Sequence, residues 1–186
     1  MRLTSDANEA RRILLENRGI DIGDSTGSVS DSAQNVFGRS MTLVEYVQRI
    51  IDDVRDGGDS AIQNINEKID GYRPESLVVS QEDIEAAYCR IDSNLREALE
   101  FSAQRISEYH ELCRIEDWND ESKGYGQRFI PVYSAASYVP GGTAKYPSTV
   151  LMTSIPAQIA GVKQISITCP SNQGKNPPDS VLAAAH

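Results

Sequence analysis

The stretch Ser137-Tyr138-Val139-Pro140-Gly141-Gly142-Thr143-Ala144-Lys145-Tyr146-Pro147-Ser148-Thr149-Val150-Leu151-Met152 decides how the rest of the chain is read. The apolar run from Ala135 to Val139 has the length and composition of a buried strand. Pro140 ends it, because proline cannot donate to a sheet ladder. Gly141-Gly142 supplies a turn in which the backbone can take positive φ and lie close to a ligand. Ser148 is the expected cap of the following helix, its hydroxyl accepting from an N–H of the first turn. Strand, glycine turn and helix place a positive dipole end where an anion can sit. On spacing alone an ordinary tight βα connection is the better reading, since glycine punctuates turns everywhere. The dinucleotide fingerprint G-x-G-x-x-G needs three glycines in register, and they are not here.

Downstream, 148–161 carries Val150, Leu151, Ile155 and Ile159 on broad apolar faces, with Pro156 expected to kink or split the helix and Gly161 to end it. Gln164-Ile165-Ser166-Ile167-Thr168-Cys169-Pro170 is a β-branched run stopped by proline. Ser171 to Pro178 reads as loop, and Pro177 or Pro178 starts a last helix. Residues 134–186 therefore spell β-α-β-α, the start of a parallel, helix-covered sheet. Two strands are fewer than an α/β domain needs, so the expectation is a chain cut short relative to a complete fold.

Upstream the pattern is helical. Residues 5–17 read as a first helix, and 19–35, rich in Gly, Ser, Asp and Thr, as a loop or extended arm. Thr42-x-x-Glu45 is a capping box ahead of the stripe Leu43, Val44, Val47, Ile50, Ile51 and Val54. Asp56-Gly57-Gly58 stops that helix, and a second over 59–69 suggests an antiparallel hairpin. Ser80-x-x-Asp83 opens a third, and Asp92 or Ser93 caps a fourth of about 20 residues. Residues 116–126 read as a solvated acidic loop, without the terminal glutamate of a calcium loop, and Gln127 to Tyr133 as a possible strand.

The totals narrow the function. A net charge of −9 argues against nucleic acid and against an anionic membrane surface as partners. Cys89, Cys113 and Cys169 are odd in number and widely spaced, which fits reduced thiols and not a disulfide framework. Only His110 and His186 could partner a catalytic cysteine or a metal, and nothing in the spacing joins them to one. The first residues lack the apolar core of a signal peptide, and no apolar run reaches the ~18 residues a spanning helix requires. A cytoplasmic location is expected.

Tyr138-Val139-Pro140-Gly141-Gly142, then Ser148-Thr149-Val150-Leu151-Met152 and Ile155-Pro156-Ala157-x-Ile159-Ala160-Gly161-Val162, resembles histidinol dehydrogenase. Val54-Arg55-x-Gly57-Gly58-Asp59-x-Ala61, Lys68-Ile69-Asp70-Gly71, Cys169-Pro170 and Leu182-Ala183-Ala184-Ala185 extend the resemblance from about residue 40 to the end. It covers less than half of a family member's usual length. It implies an α/β chain: a helical N-terminal region, then the start of an incomplete Rossmann-like parallel β-α-β-α unit. The corresponding segments are 1–39 (helix and arm), 40–133 (helical part of the first domain) and 134–186 (start of the NAD-binding domain). The implied chemistry is zinc-dependent oxidation of L-histidinol to L-histidine by NAD, in a homodimer.

Of the family's functional residues, the NAD-contacting tyrosine falls on Tyr138, with Gly141 and Gly142 in the same loop. The family's glutamate–histidine acid–base pair and its zinc ligands come later and have no counterpart here. No catalytic and no metal residue is therefore assigned, and the chain alone is expected to be inactive. Two other readings stay open: a non-catalytic nucleotide- or partner-binding module, and a dehydrogenase for another small alcohol. An unfinished sheet edge would invite oligomers.

Overall fold

The computed structural model describes residues 26–141, 144–170 and 176–186. The helix expected over 5–17 and Gly142 lie outside them. The chain divides into two compact units, Met1–Leu77 and Val78–His186.

In the first unit, α1 (Thr26–Phe37) occupies most of the segment expected to be an extended arm. Its composition of Ser, Asp and Gly hides an i, i+4, i+7, i+8 spacing of Val29, Ala33, Val36 and Phe37. Packing decides the outcome: Ala33 and Val36 are buried, and Phe37 meets Tyr46 edge-on at 5.6 Å. Gly38 closes the helix at φ 72°, and Lys68 Nζ donates to the Val36 carbonyl at 2.9 Å.

The next helix, α2 (Leu43–Asp70), begins with the expected capping box. The Thr42 N–H donates to Glu45 Oε2 at 2.8 Å, and the Glu45 N–H to Thr42 Oγ1 at 3.3 Å. The Thr42 N–H, and after it the Thr42 hydroxyl, which also donates to Glu45 Oε2 at 2.8 Å, hold the Glu45 carboxyl below its ordinary pKa. The glycine stop falls where expected: helical geometry fails at Gly58 (φ 56°, ψ −141°), so Leu43–Asp70 is two helical stretches that meet at a kink.

In the second unit, α3 (Gln81–Arg90) and α4 (Ser93–Leu112) start where the capping residues predict. Ser80 Oγ accepts from the Asp83 N–H, and Asp92 Oδ1 from the Leu95 N–H. The acidic segment is an antiparallel hairpin, β1 (Trp118–Asp120) with β2 (Tyr125–Gln127), and not a loop. Its turn is held by Asp120, which accepts from the Ser122 hydroxyl and the Lys123 N–H. Gly124 at φ 72° completes the reversal, and Trp118 packs edge-on against Tyr125. Beyond Gln127 no strand continues to Tyr133.

Then β3 (Ser134–Tyr138), α5 (Pro147–Ile159), β4 (Gln164–Thr168) and α6 (Asp179–Ala185) follow in the expected order. The two strands pair in parallel, Ser134 opposite Gln164 and Tyr138 opposite Thr168. Helix α5 packs on the sheet and on α4 and α6, and α6 packs on α3. The core joins Val139, Val150 and Val181, with Ile167, Cys169 and Ala184 against them.

Pro156 sits inside α5 without splitting it. The missing hydrogen bond falls near the exposed Met152, and the helix closes one turn later. There the Gly161 N–H reaches the Gln158 carbonyl and the Val162 N–H the Ala157 carbonyl, with Gly161 at φ 88°. Among the described residues no helix is long and apolar enough to cross a membrane.

Candidate functional site

A strand alternates its side chains between two faces, and β3 does so cleanly. Ala135, Ser137 and Val139 turn towards the helices, whereas Ser134, Ala136 and Tyr138 turn away. Val139 has no exposed surface, and its neighbour Tyr138 is 64% exposed. β4 repeats the pattern, with Ile165 and Ile167 partly covered and Gln164, Ser166 and Thr168 exposed. The outward face thus carries one large aromatic ring, Tyr138, at the carboxyl end of the sheet, among small and polar side chains. In open parallel sheets that end is where ligands bind.

The chain leaves both strands together. The Val139 N–H donates to the Thr168 carbonyl at 2.8 Å, extending the ladder one step past Tyr138. The next residues, Pro140-Gly141 and Cys169-Pro170, then run side by side. Gly141 does not take the positive φ expected of it. Its lack of a side chain answers to a contact: a Cβ there would stand 3.1 Å from Pro170 Cβ and 3.2 Å from Pro170 Cγ and Cδ.

The helix after the turn also starts differently. Pro147 occupies the first helical position, after Tyr146, and no side chain caps the turn, so Ser148 is not the cap. Proline there has its φ pre-set and lacks an N–H that would be unpaired anyway. Lys145 and Tyr146 precede it, both exposed.

Charge near this end is arranged around Asp179, the first residue of α6. Arg90 of α3 reaches it with two nitrogens, Nε to Oδ2 at 2.9 Å and Nη2 to Oδ1 at 2.8 Å. That forked hydrogen bond, together with the charges of Arg90 and Lys145, holds the Asp179 carboxyl below its ordinary pKa. No sequence spacing could announce a pair 89 residues apart.

The remaining chemistry-bearing residues are accounted for locally. Burial pushes the Cys169 thiol up, away from the thiolate a nucleophile needs. Cys89 and Cys113 are exposed and free. His110 lies edge-on to Tyr109 at 5.3 Å. His186 stacks on Tyr88 at 4.3 Å, whose ring also lies 4.8 Å from the Arg96 guanidinium. The Tyr88 hydroxyl donates to Glu100. Among the described residues no three of His, Cys, Asp and Glu come together as a metal site.

Comparison with known proteins bears on the same segment. The family model for histidinol dehydrogenase matches residues 36–186. The histidinol dehydrogenase of Parasynechococcus marenigrum is 43% identical over 143 residues, which are 75% of this chain and 33% of that protein. That of Methanothermobacter thermautotrophicus is 38% identical over 180 residues, 94% of this chain and 38% of its own. The crystal structure of histidinol dehydrogenase from Elizabethkingia anophelis superposes with a TM-score of 0.70 at 25% identity, covering 86% of this chain and 38% of that one. The chain spans about a third of the length of the curated relatives it matches. With the family model matching residues 36–186, well over half of its length, the chain belongs to the histidinol dehydrogenase family.

Proposed function

We propose that this chain contributes the cofactor-facing edge of an NAD-dependent oxidation of L-histidinol to L-histidine, on a Rossmann-like segment spanning 134–186. The observation that carries this is the exposed ring of Tyr138 at the carboxyl end of two parallel strands, inside the family-matched segment. Tyr138 offers an aromatic face and a hydroxyl to the dinucleotide. Gly141 carries no side chain, so the backbone after Tyr138 can lie near the phosphates, and Gly142 is included from the motif alone. Lys145 and the uncapped start of α5 favour the negative charge that those phosphates carry. NAD, when bound, supplies the hydride acceptor.

The family's zinc does not fit the described residues, which assemble no donor set for it. No step is routed through a metal on this chain. A homodimer in the cytoplasm is the setting we propose for the complete enzyme, and by itself this chain binds cofactor without turning over substrate.

Calorimetric titration of the purified chain with NAD⁺ tests the reading. Binding that weakens in Tyr138→Ala supports it; no binding, or binding indifferent to that change, overturns it. Appearance of NADH on mixing this chain alone with L-histidinol, NAD⁺ and Zn²⁺ would overturn the statement that it is inactive.

A further inference from the structure

Glycine at 141 has two possible reasons, and the backbone separates them. Gly141 is not in the left-handed region, so its main chain would tolerate another residue. What crowds a side chain is Pro170, three of whose ring carbons would stand 3.1–3.2 Å from an added Cβ and would have to give by a few tenths of an ångström. A long flexible side chain could swing away from such a contact. A proline ring cannot swing away, because it is closed onto its own backbone nitrogen with φ fixed, which leaves only a small change of pucker. Pro170 also follows β4 by only two residues, and β4 is locked in register to β3. Either the proline moves with the end of its strand, or the turn after β3 lifts off.

We propose that Pro170 is a positioning residue: by packing on Gly141 it sets the height at which Pro140-Gly141 lies over the strand ends, and so the shape of the edge beside Tyr138. The proposal rests on the reading that this edge takes NAD. It assigns the glycine requirement to the neighbouring strand end and not to the cofactor. Pro170 touches no reacting atom and acts only through Gly141.

The test is a double-mutant cycle of Gly141→Ala and Pro170→Gly. NAD⁺ affinity is read by calorimetry at a temperature where circular dichroism shows all four chains folded. If the turn lifts off Pro170, the edge that meets the cofactor is displaced, so Gly141→Ala in the natural background should weaken NAD⁺ binding about tenfold. In the Pro170→Gly background the same change should stay within about twofold.

Equal weakening in both backgrounds overturns the proposal, because the glycine would then be needed by the cofactor itself. So does a cycle in which melting temperatures couple but affinities do not, since Pro170 would then be structural only. Failure of the unsubstituted chain to bind NAD⁺ overturns the functional reading and takes this proposal with it. Binding without coupling overturns this proposal alone.

Discussion

Tyr138 and Val139 are adjacent in sequence and opposite in surroundings, which makes truncating each a test of the site's location. Val139 is fully buried against Val150 and Val181. Val139→Ala removes two carbon groups at ~0.8 kcal/mol each, and the cavity left behind brings the loss to about 2–3 kcal/mol. For a chain of this size that corresponds to a melting temperature lower by roughly 4–12 °C. Tyr138 keeps 64% of its surface in solvent, so Tyr138→Ala forfeits only a minor share of the burial energy of a large side chain. Its melting temperature should move by no more than about a third as much.

Ligand binding should rank the two the other way. Loss of an aromatic platform for a nucleotide is worth ~1–3 kcal/mol, so Tyr138→Ala should weaken NAD⁺ roughly tenfold or more. Val139→Ala, assayed below its melting transition, should bind nearly as the natural chain does. Circular dichroism melts and calorimetric titration on the same preparations decide the matter. A Tyr138→Ala chain that melts as low as Val139→Ala would refute the assignment of faces. One that melts normally and binds NAD⁺ unchanged would refute the assignment of function.

Acidification should expose the Arg90–Asp179 pair. The folded pKa of Asp179 is depressed, so its contribution is complete above the ordinary carboxylate value and fades as pH falls through the lower folded value. Urea midpoints taken from about pH 6 to pH 3 should therefore converge between the natural chain and Asp179→Asn, and parallel curves would count against the pair. Caps separate in the same manner. Thr42→Ala removes the hydroxyl that accepts from Glu45 N–H and should lower stability by about 1 kcal/mol. Ser148→Ala should leave the melt unchanged, because α5 starts at Pro147 without a side-chain cap. A loss at Ser148 comparable to that at Thr42 would contradict this start.

Local signals were readable from the chain wherever one residue could act alone. Thr42, Ser80 and Asp92 each cap a helix through a hydroxyl or carboxylate three residues from its target, so spacing suffices. The β-α-β-α order was legible for a similar reason, since Pro140, Gly161 and Pro170 punctuate it.

What escaped depends on tertiary packing or on several weak cues together. Helix α1 is built from poor helix formers and holds because Ala33 and Val36 are covered. The hairpin at Trp118–Asp120 and Tyr125–Gln127 lacks apolar alternation, and its turn depends on Asp120 gathering two donors. At the candidate site, the motif singles out Tyr138 and Gly141 as the residues to test. The contact of Gly141 with Pro170 and the fork of Arg90 on Asp179 were not visible in it, because each joins residues that only the folded chain brings together.

The two-residue alternation of β3 also says which genetic changes this segment can absorb. Single codon changes at Ser134 or Ala136 alter only an outward side chain and leave the valine cluster as it is. Losing or gaining one codon between residues 134 and 138 rotates everything after it by half a turn. Tyr138 would then be driven among the valines, while Val139 faced water. For this strand a change in length disturbs the core more than a change of an outward-facing residue does.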